Sequence, residues 1–297
     1  MEGNEMAVQK IRSGIPGLDK LMDGGLNRNS TSVVIGASGT GKTTFALQFL
    51  RRGLEEGSEA IHITLDETKE QIISEAINLG WRDIEDYVES EKLIFMEAAG
   101  SDFLDFIENE FPDLIANWEG STDARIVIDP LTPVMWSVKD IYRQREIISS
   151  LFKLTRKIGT VLATLEEHNT FGTLQGSESI LPMYIADSVF HLSYVGLGFS
   201  INRMLKIVKC RSSWHTEVSN PYNIIPGIGL AVHVIEGAYK KESEVPREVL
   251  EYLKKGMADL PPDAQARIKD VVRQMNKKDI GIFNFQELAQ LLIEEYK

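Results

Sequence analysis

The eight residues GASGTGKT at positions 36–43 constrain the fold of this chain more than any other stretch. A short apolar, β-branched run at residues 32–35 precedes them, and residues 44–50 follow with apolar positions at helical spacing. A glycine-rich turn from a strand into a helix points several backbone N–H groups at one spot, and the helix dipole adds positive potential there. The pattern G-x-x-x-x-G-K-[ST] in this setting predicts a phosphate-binding loop rather than an ordinary glycine-rich loop.

The residues of this loop have separate expected roles. Lys42 is expected to reach the β- and γ-phosphates of a nucleotide, and the Thr43 hydroxyl is expected to be a ligand of Mg²⁺. The residues predicted to hold the nucleotide on this chain are Gly36, Ala37, Ser38, Gly39, Thr40, Gly41, Lys42, Thr43 and Thr44.

A second predicted strand, at residues 60–65, ends directly at Asp66 and Glu67. An open α/β sheet binds its ligand at the carboxyl ends of its strands. One of these carboxylates is therefore a candidate to orient or deprotonate a water that faces the γ-phosphate. The alternative is a solvated acidic turn before a helix, which Thr68 and Gln71 would begin as a capping box.

Two further predicted strands end in acidic residues. Residues 124–128 form an apolar run that ends at Asp129, and a buried strand there would aim this carboxylate at the Mg²⁺ shell. The alternative for Asp129 is a simple strand terminator. Residues 160–165 lead into Glu166, Glu167 and His168, where a polar group either senses the γ-phosphate or belongs to a plain loop.

The chain after residue 168 changes character. Residues 169–182 are rich in Gly, Ser and Thr and predict a mobile loop, in which Phe171 is a candidate to stack on a base. Strand patterns then follow one another closely, at residues 188–195, 204–210 and 229–235. Their order predicts an antiparallel edge on a mostly parallel sheet.

Basic residues near the end of the second of these strands have two interpretations. Lys209 and Arg211 alternate around Cys210, so both side chains leave the strand on one face, and His215 follows. On an edge strand such residues usually protect against aggregation. In an oligomer, a neighbouring subunit would instead deliver them to the γ-phosphate in trans.

Composition excludes several classes of protein. The chain is 43% apolar and 26% charged, as expected for a globular protein, and no apolar run approaches the roughly 20 residues of a membrane span. Cys210 is the single cysteine, which excludes an internal disulfide and a cysteine-rich zinc site. The cytoplasm, which is reducing, is the expected compartment.

The charge distribution argues against nucleic acid as a partner. The net charge is −12, and residues 240–297 contain equal numbers of acidic and basic residues, so the excess negative charge lies on residues 1–239. Binding to nucleic acid normally requires a basic footprint. No long basic run is present in the sequence.

The charge balance also separates two predicted domains, a main domain at residues 1–239 that contains the phosphate-binding loop and a helical extension at residues 240–297. Three short amphipathic patterns in the extension would bury little area alone, so we expect them to pack on the main domain or a partner. Residues 276–279, NKKD, match the guanine-reading signature N-K-x-D but follow a helical pattern rather than a buried strand. Guanine recognition is therefore not predicted.

Five motifs in this order resemble the KaiC-type branch of the RecA-like ATPases, over about residues 12–233. They are SGIPGLDKLMDGGL from residue 13, GASGTGKTTFALQFL from 36, HITLDETKEQI from 62, RIVIDPLTPV from 125 and KIVKCRSSWH from 206. The resemblance implies an α/β fold of the RecA-like P-loop type. Such a fold has a mostly parallel twisted sheet flanked by helices, with an antiparallel edge, and here a small C-terminal helical segment would follow.

The resemblance also implies roles for particular residues. In that family the paired acidic residues after the second strand hold the catalytic base, which corresponds to Asp66 and Glu67. The K-x-R…H stretch meets the nucleotide of the neighbouring subunit in a hexameric ring, which corresponds to Lys209, Arg211 and His215. The chain is then expected to bind ATP and Mg²⁺ at the interfaces of a homo-oligomer, with Lys42 among the catalytic residues and with Thr43 and Asp129 at the metal.

Two departures from the family pattern limit this expectation. The first carboxylate is usually Glu, whereas Asp66 is shorter by one methylene, so slow turnover or a shift of the role to Glu67 is expected. The clock proteins of the family have two such domains and a phosphorylated tail, so clock function and autokinase activity are not implied. Two other functions stay open: an ATP-dependent scaffold that recruits a partner through its C-terminal helices, and a recombinase-like DNA-dependent ATPase.

Overall fold

The computed structural model describes residues 9–117, 122–167, 177–195, 202–235, 247–258 and several positions between 260 and 293. The strands are β1 (Lys10–Ile11), β2 (Leu26–Asn27), β3 (Thr31–Gly36), β4 (Ala60–Thr64), β5 (Leu93–Glu97), β6 (Ala124–Asp129), β7 (Gly159–Glu166), β8 (Ser188–Val195), β9 (Asn202–Cys210), β10 (Asn220–Ile225) and β11 (Gly229–Val232). The helices are α1 (Lys42–Glu55), α2 (Lys69–Asn78), α3 (Asp83–Glu89), α4 (Gly100–Asn109), α5 (Phe111–Ala116), α6 (Thr132–Trp136), α7 (Ile141–Thr155), α8 (Ser177–Ile185) and α9 (Arg247–Gly256). A short 3-10 helix at Asp19–Leu21 precedes β2.

Within the described residues, strands β3 to β11 form one sheet in the order β11-β10-β9-β8-β3-β7-β6-β4-β5. The strands from β8 to β5 in this order run parallel, and β9, β10 and β11 are antiparallel to their neighbours. Gly36 pairs with Glu166 and Thr64 pairs with Asp129, so the ends of four parallel strands lie at one carboxyl edge. The predicted parallel sheet with an antiparallel edge is confirmed.

Apolar residues are buried on both faces of this sheet, which explains the continuous hydrophobic runs of its strands. On one face α1, α2 and α3 cover the sheet with side chains such as Phe45, Ile72 and Ile84. On the other face α4 to α7 cover it with side chains such as Phe103 and Leu151. All six residues of β3 are buried, so the strand that leads into the phosphate loop is held from both sides.

Local signals begin several helices. Thr68 is the N-cap of α2, and Gln71 completes the capping box that the sequence predicts. The Asp140 side chain accepts a hydrogen bond from the Arg143 N–H, so Asp140 is the N-cap of α7, which begins at Ile141.

Two expectations for the second half of the chain are corrected. β9 is an internal strand between β8 and β10, so edge protection does not explain its basic residues, although β10 pairs with it only at Met204 and Leu205. The mobile loop predicted at residues 169–182 is wrong from Ser177 onward, because α8 begins there, and residues 169–176 lie outside the described part of the chain. Ser179 is buried and Leu181 is half-buried, so this helix packs against neighbouring residues and does not project into solvent.

The chain divides into two compact units, Met1–Ala238 and Tyr239–Lys297. In the second unit, Leu253, Met257, Ile268 and Ile293 are among the residues of a small apolar core. Its helices therefore bury apolar residues against one another, which their short lengths did not predict. The NKKD residues at 276–279 lie outside the described residues. No described helix is long and apolar enough to span a membrane.

Candidate functional site

The loop between β3 and α1 has the backbone geometry that its glycines permit. Gly39 and Gly41 have φ angles of 76° and 92°, in the left-handed region, and Gly41 is the N-cap of α1. At Gly36 a Cβ would lie 2.4 Å from the Leu192 carbonyl oxygen, so β8 packs directly against this position. The loop therefore turns sharply and ends at the first helical residue, Lys42, where unpaired N–H groups and the helix dipole favour an anion.

Side chains from β8, β9 and β10 contact this loop or one another beside it. The Tyr194 hydroxyl donates to the Gly39 carbonyl at 2.6 Å, and the Tyr222 hydroxyl donates to the Thr40 carbonyl at 2.6 Å. The Arg203 guanidinium lies 5.6 Å from the centre of the Tyr194 ring. Sequence reasoning missed these residues because each is more than 150 positions away from the loop.

A cavity of about 380 Å³ lies beside the loop at the carboxyl edge of the sheet. Its lining residues are Ser38, Gly39, Gly41, Lys42, Thr43, Thr44, Asp66, Glu67, Glu75, Asp129, Pro130, Glu166 and Ile224. The cavity thus brings together the predicted loop, the paired carboxylates and the strand-end aspartate. A larger cavity of about 500 Å³ lies along α1 near Arg12 and Arg51 and contains none of these residues.

The Lys42 side chain lies against the backbone of the loop. Its ammonium donates to the Ala37 carbonyl at 3.2 Å, which holds the side chain folded back across the glycines. Burial lowers the pKa of Lys42, and the nearby carboxylates of Asp129, Glu166 and Glu167 raise it. An amine that is partly desolvated among carboxylates gains strongly from a polyanion, because added negative charge stabilises its protonated form.

The carboxylate of Asp129 is held in one orientation. It is buried at the end of β6, and the Thr164 hydroxyl donates a short hydrogen bond to its Oδ1. Among the described residues no group of three His, Cys, Asp or Glu side chains is placed to hold a metal ion. Mg²⁺ commonly takes one or two protein oxygens together with water and substrate phosphates. The Thr43 hydroxyl and the Asp129 carboxylate line the same cavity and fit this donor set.

Asp66, Glu67 and Glu75 are exposed carboxylates that also line the cavity. Burial, followed by Glu166 and Asp129, raises the pKa of Asp66. Burial, followed by Glu75, Asp129 and Asp66, raises the pKa of Glu67. A carboxylate with a raised pKa is a better proton acceptor, which suits a general base. The backbone carbonyl of Glu67 accepts a hydrogen bond from the Thr64 hydroxyl at 2.6 Å, so the turn that presents both residues is anchored to β4.

Glu75 was not predicted. It lies on α2, eight residues after Glu67, and its pKa is raised by burial and by Asp129. The position of a helix across the cavity depends on packing, so spacing along the sequence does not reveal this carboxylate.

Glu166, the last residue of β7, and Glu167, which follows it, have different surroundings. Glu166 lines the cavity, as the sensor interpretation requires. The Glu167 side chain is only 5% exposed, and its Oε2 lies 2.9 Å from His191 Nε2. The Glu167 N–H donates to the Gly36 carbonyl at 3.1 Å. Glu167 therefore anchors β7 to the start of the phosphate loop, and His168 lies outside the described residues.

His62 is a buried polar residue below the site. It lies on β4 opposite Val127, two residues before the strand end, and its ring stacks on Phe95 at 5.2 Å. Neither ring nitrogen has a hydrogen-bond partner among the described residues. Burial lowers the pKa of His62 to about 4, so the ring is neutral, although Asp129 opposes this shift.

The three residues predicted to act in trans are not brought to the loop of their own chain. Lys209 and Arg211 lie at the end of β9, which runs antiparallel to β8, and Cys210 between them pairs with Ser188 at the start of β8. Because β8 is parallel to β3, these residues lie at the edge of the sheet opposite the phosphate loop. His215 Nδ1 is 2.9 Å from the Thr216 carbonyl oxygen.

Lys209 and Arg211 both donate hydrogen bonds to backbone carbonyls at the end of α8. The Lys209 ammonium donates to the carbonyls of Met183, Tyr184 and Ala186, at 3.1, 2.9 and 2.6 Å. Arg211 donates to the Tyr184 carbonyl at 3.0 Å, so the two side chains share a face, as their alternation predicts.

A parallel sheet with its phosphate loop, strand-end carboxylates and antiparallel edge defines a nucleotide-binding P-loop domain of the RecA-like class. Comparison with known families places the chain more narrowly, because the family model described as "ATPase: KaiC" matches residues 11–239. The chain belongs to the KaiC family of ATPases.

Individual relatives agree with this placement. The circadian clock oscillator protein KaiC of Thermostichus vulcanus is 31% identical over 241 residues, which is 77% of this chain and 45% of that protein. KaiC of Parasynechococcus marenigrum is 29% identical over 233 residues, 74% of this chain and 44% of that protein. The chain thus spans less than half the length of these relatives. The KaiC-like protein of the archaeon Pyrococcus horikoshii OT3 superposes with a TM-score of 0.63 at 29% identity, covering 76% of this chain and 100% of that one.

Proposed function

We propose that this chain binds ATP with Mg²⁺ and hydrolyses it slowly, as a homo-oligomeric ring, for which we propose six subunits, in the cytoplasm. The observation that carries the proposal is the cavity at the carboxyl edge, where a glycine loop at a helix N-terminus faces Asp66, Glu67, Asp129 and Glu166. The clock role in the names of the relatives is not included, because the chain covers less than half of those proteins.

The residues of the cavity have separate roles in the proposed reaction. Backbone N–H groups of the loop and the Lys42 ammonium bind and orient the phosphates, and Thr43 and Asp129 are the residues that would hold Mg²⁺. When bound, Mg²⁺ would neutralise the negative charge that develops on the phosphates. Asp66 or Glu67 orients the attacking water and accepts its proton. We expect slow turnover, because the shorter side chain of Asp66 places its carboxylate farther from that water.

The topology of the sheet supports a head-to-tail assembly. The phosphate loop follows β3 at one edge, whereas Arg211 follows the antiparallel strand β9 at the other. One chain cannot bring both to a single nucleotide, so Arg211 can serve the reaction only at the site of the next subunit. Contacts between two different faces repeat around a ring, as a heterologous interface does.

The proposal is tested by ATP binding and steady-state phosphate release on the wild type and on Lys42→Ala. We expect the variant to lose nucleotide binding and to release no phosphate above background, since the loop loses its cation. The native mass of the same samples, measured with and without ATP, gives the number of subunits in the assembly. Equal ATP affinity in the variant and the wild type would rule out the proposed site.

A second candidate function is an ATP-dependent scaffold that assembles without hydrolysis and recruits a protein partner. Two observations favour it: Asp66 in place of the usual Glu, and a C-terminal unit with an apolar core of its own that includes Leu253 and Ile293. Phosphate release separates the candidates, because a scaffold assembles with ATP yet releases no more phosphate than Lys42→Ala.

A further inference from the structure

A third cavity, of about 360 Å³, lies between α7, the end of α8 and the end of β9. We call this cavity the cationic pocket. The basic residues that line it are Arg145, Lys153, Arg156 and Arg211. Buried Phe152 and the exposed ring of Tyr184 also line it. No motif in the sequence indicates Arg145 or Lys153, because they lie on the solvent side of a helix whose other face is apolar.

Most of the positive charge in the cationic pocket is not neutralised within the described part of the chain. Arg156 pairs with Asp187 at 2.9 Å. Arg145 and Lys153 form no ion pair with another described residue. Arg211 uses one N–H donor on a backbone carbonyl. This concentration of cations stands out in a chain of net charge −12.

The cationic pocket lies at the amino edge of the sheet. Arg211 directly follows Cys210, which pairs with the first residue of β8. Lys153 and Arg156 lie on and just after the last turn of α7, immediately before β7 begins. The nucleotide cavity lies at the carboxyl edge, so the two cavities face in opposite directions along the strands.

The surface next to the nucleotide cavity is the electrostatic complement of this pocket. Its exposed carboxylates, which we call the acidic rim, are Asp66, Glu67, Glu70 and Glu75. They lie on the turn after β4 and on α2. The pKa of Glu67 is raised by burial and then by Glu75, which shows that these charges repel one another. Cations from outside would relieve this repulsion.

We propose that the cationic pocket binds the acidic rim of a second copy of this chain, with Arg145 and Lys153 as docking cations for the carboxylates of α2. The inference rests on the proposed function, because the same contact brings Arg211 toward the nucleotide of that second copy. Opposite charges on opposite edges select the head-to-tail orientation and disfavour contacts between like faces.

Charge reversal on each face separately tests this pairing. The variants are Arg145→Glu/Lys153→Glu on the pocket and Glu70→Lys/Glu75→Lys on the rim. Lys20→Glu/Lys92→Glu, at exposed positions elsewhere, is the control with the same change in charge as the pocket variant. Assembly with ATP and Mg²⁺ is measured by sedimentation velocity over a range of protein and salt concentrations, after thermal melting shows that each variant is folded.

We expect each reversed variant alone to need at least about tenfold more protein for half-assembly than the wild type, and the control to behave like the wild type. An equimolar mixture of the pocket and rim variants should recover assembly. In that mixture each contact joins either two unchanged faces or two reversed faces, and both are complementary. Assembly of the wild type should weaken as salt increases.

Other results overturn the inference. If the pocket variant assembles like the wild type at every salt concentration, the pocket does not dock the rim, and the proposed ring stands without it. If the mixture of folded variants does not recover assembly, the pairing is wrong. If the wild type itself does not assemble with ATP, the proposed oligomer fails and the inference fails with it. Binding of single-stranded DNA that only the pocket variant loses would assign the pocket to nucleic acid instead.

Discussion

Lys209 and Arg211 differ in how many of their donors the structure leaves free. An ammonium has three N–H donors, and Lys209 directs all three at carbonyls at the end of α8. Arg211 has five side-chain donors and uses one of them on another residue that the structure describes. Of the two residues predicted to act in trans, Arg211 is therefore the one that can bind a phosphate without giving up an existing contact.

This difference predicts separate effects of two substitutions. Arg211→Ala should lower the rate of phosphate release at least about 100-fold with little change in ATP affinity, as for an arginine supplied in trans. Lys209→Ala should instead lower the free energy of unfolding by about 1–3 kcal/mol, because the last carbonyls of α8 lose their donor. Phosphate release, ATP titration and thermal melting on both variants measure this. A matching loss of affinity and turnover in Arg211→Ala would count against the trans role.

Buried His62 makes the free energy of unfolding depend on pH. The ring is buried without hydrogen-bond partners among the described residues, and its pKa is about 4 when folded against an ordinary value of 6.5. Between pH 6.5 and 4 the unfolded chain therefore binds a proton that the folded chain does not. The contribution of neutral His62 to the free energy of unfolding is therefore fully present above pH 6.5 and is lost as the pH falls toward 4.

His62→Leu should remove this contribution. We expect the variant to unfold at a higher temperature at pH 5, since an unpaired polar ring is replaced by an apolar side chain of similar size. The slope of stability against pH between 6.5 and 4 should decrease by up to about one proton. Thermal melting at pH 5 measures the first effect, and denaturant unfolding at several pH values measures the second. An unchanged slope would mean that His62 is already charged or paired in the folded protein.

At the scale of elements, Arg125 ties β6 to α1 and to the segment before β2. Its guanidinium is buried and donates to the carbonyls of Arg12 and Phe49 at 2.8 and 2.9 Å, and it pairs with Glu56 at 2.7 Å. A Cβ at Gly53 would lie 2.3 Å from the Arg125 side chain, so only glycine lets α1 pass this close. The same helix carries the phosphate loop at its other end.

Arg125→Ala should lower the free energy of unfolding by about 3 kcal/mol, because buried acceptors lose their donors and a cavity remains. Arg143→Ala is the matched control. Arg143 also pairs with two carboxylates, Glu108 and Glu146, but its side chain is 52% exposed, so we expect a much smaller loss of stability than for Arg125→Ala. Chemical denaturation of the two variants measures the difference. Equal losses would contradict the role of burial.

At the scale of the whole molecule, the ATPase function is expected to reside in the first unit. That unit, Met1–Ala238, contains every residue placed around the nucleotide cavity, and the second unit has an apolar core of its own. A chain that ends after Ala238 should fold and bind ATP within about twofold of the full-length affinity. ATP titration followed by thermal melting tests this, with Lys42→Ala in the shortened chain as the control. Loss of binding in a folded shortened chain would place part of the site in the second unit.

The residues that the sequence indicated and those it did not differ in one physical respect. The phosphate loop, Asp66, Glu67 and Asp129 are recognisable because each is next to its own strand or helix, and parallel strands bring their carboxyl ends to one edge. Glu75, Tyr194 and Tyr222 reach the site from elements whose approach depends on packing. The internal position of β9 also depends on pairing between distant segments, and no local pattern in Lys209 or Arg211 distinguishes an edge strand from a central one.

The sequence alone determined the glycine loop, its strand and helix, and the presence of carboxylates at three strand ends, because these properties depend on neighbouring residues along the chain. Tertiary structure decided which edge of the sheet each charged group occupies. It placed Lys42 among carboxylates at one edge, and it gathered Arg145, Lys153, Arg156 and Arg211 at the other. Strand direction in the assembled sheet sets that separation, and it is decided by long-range pairing, which has no signature in any one segment.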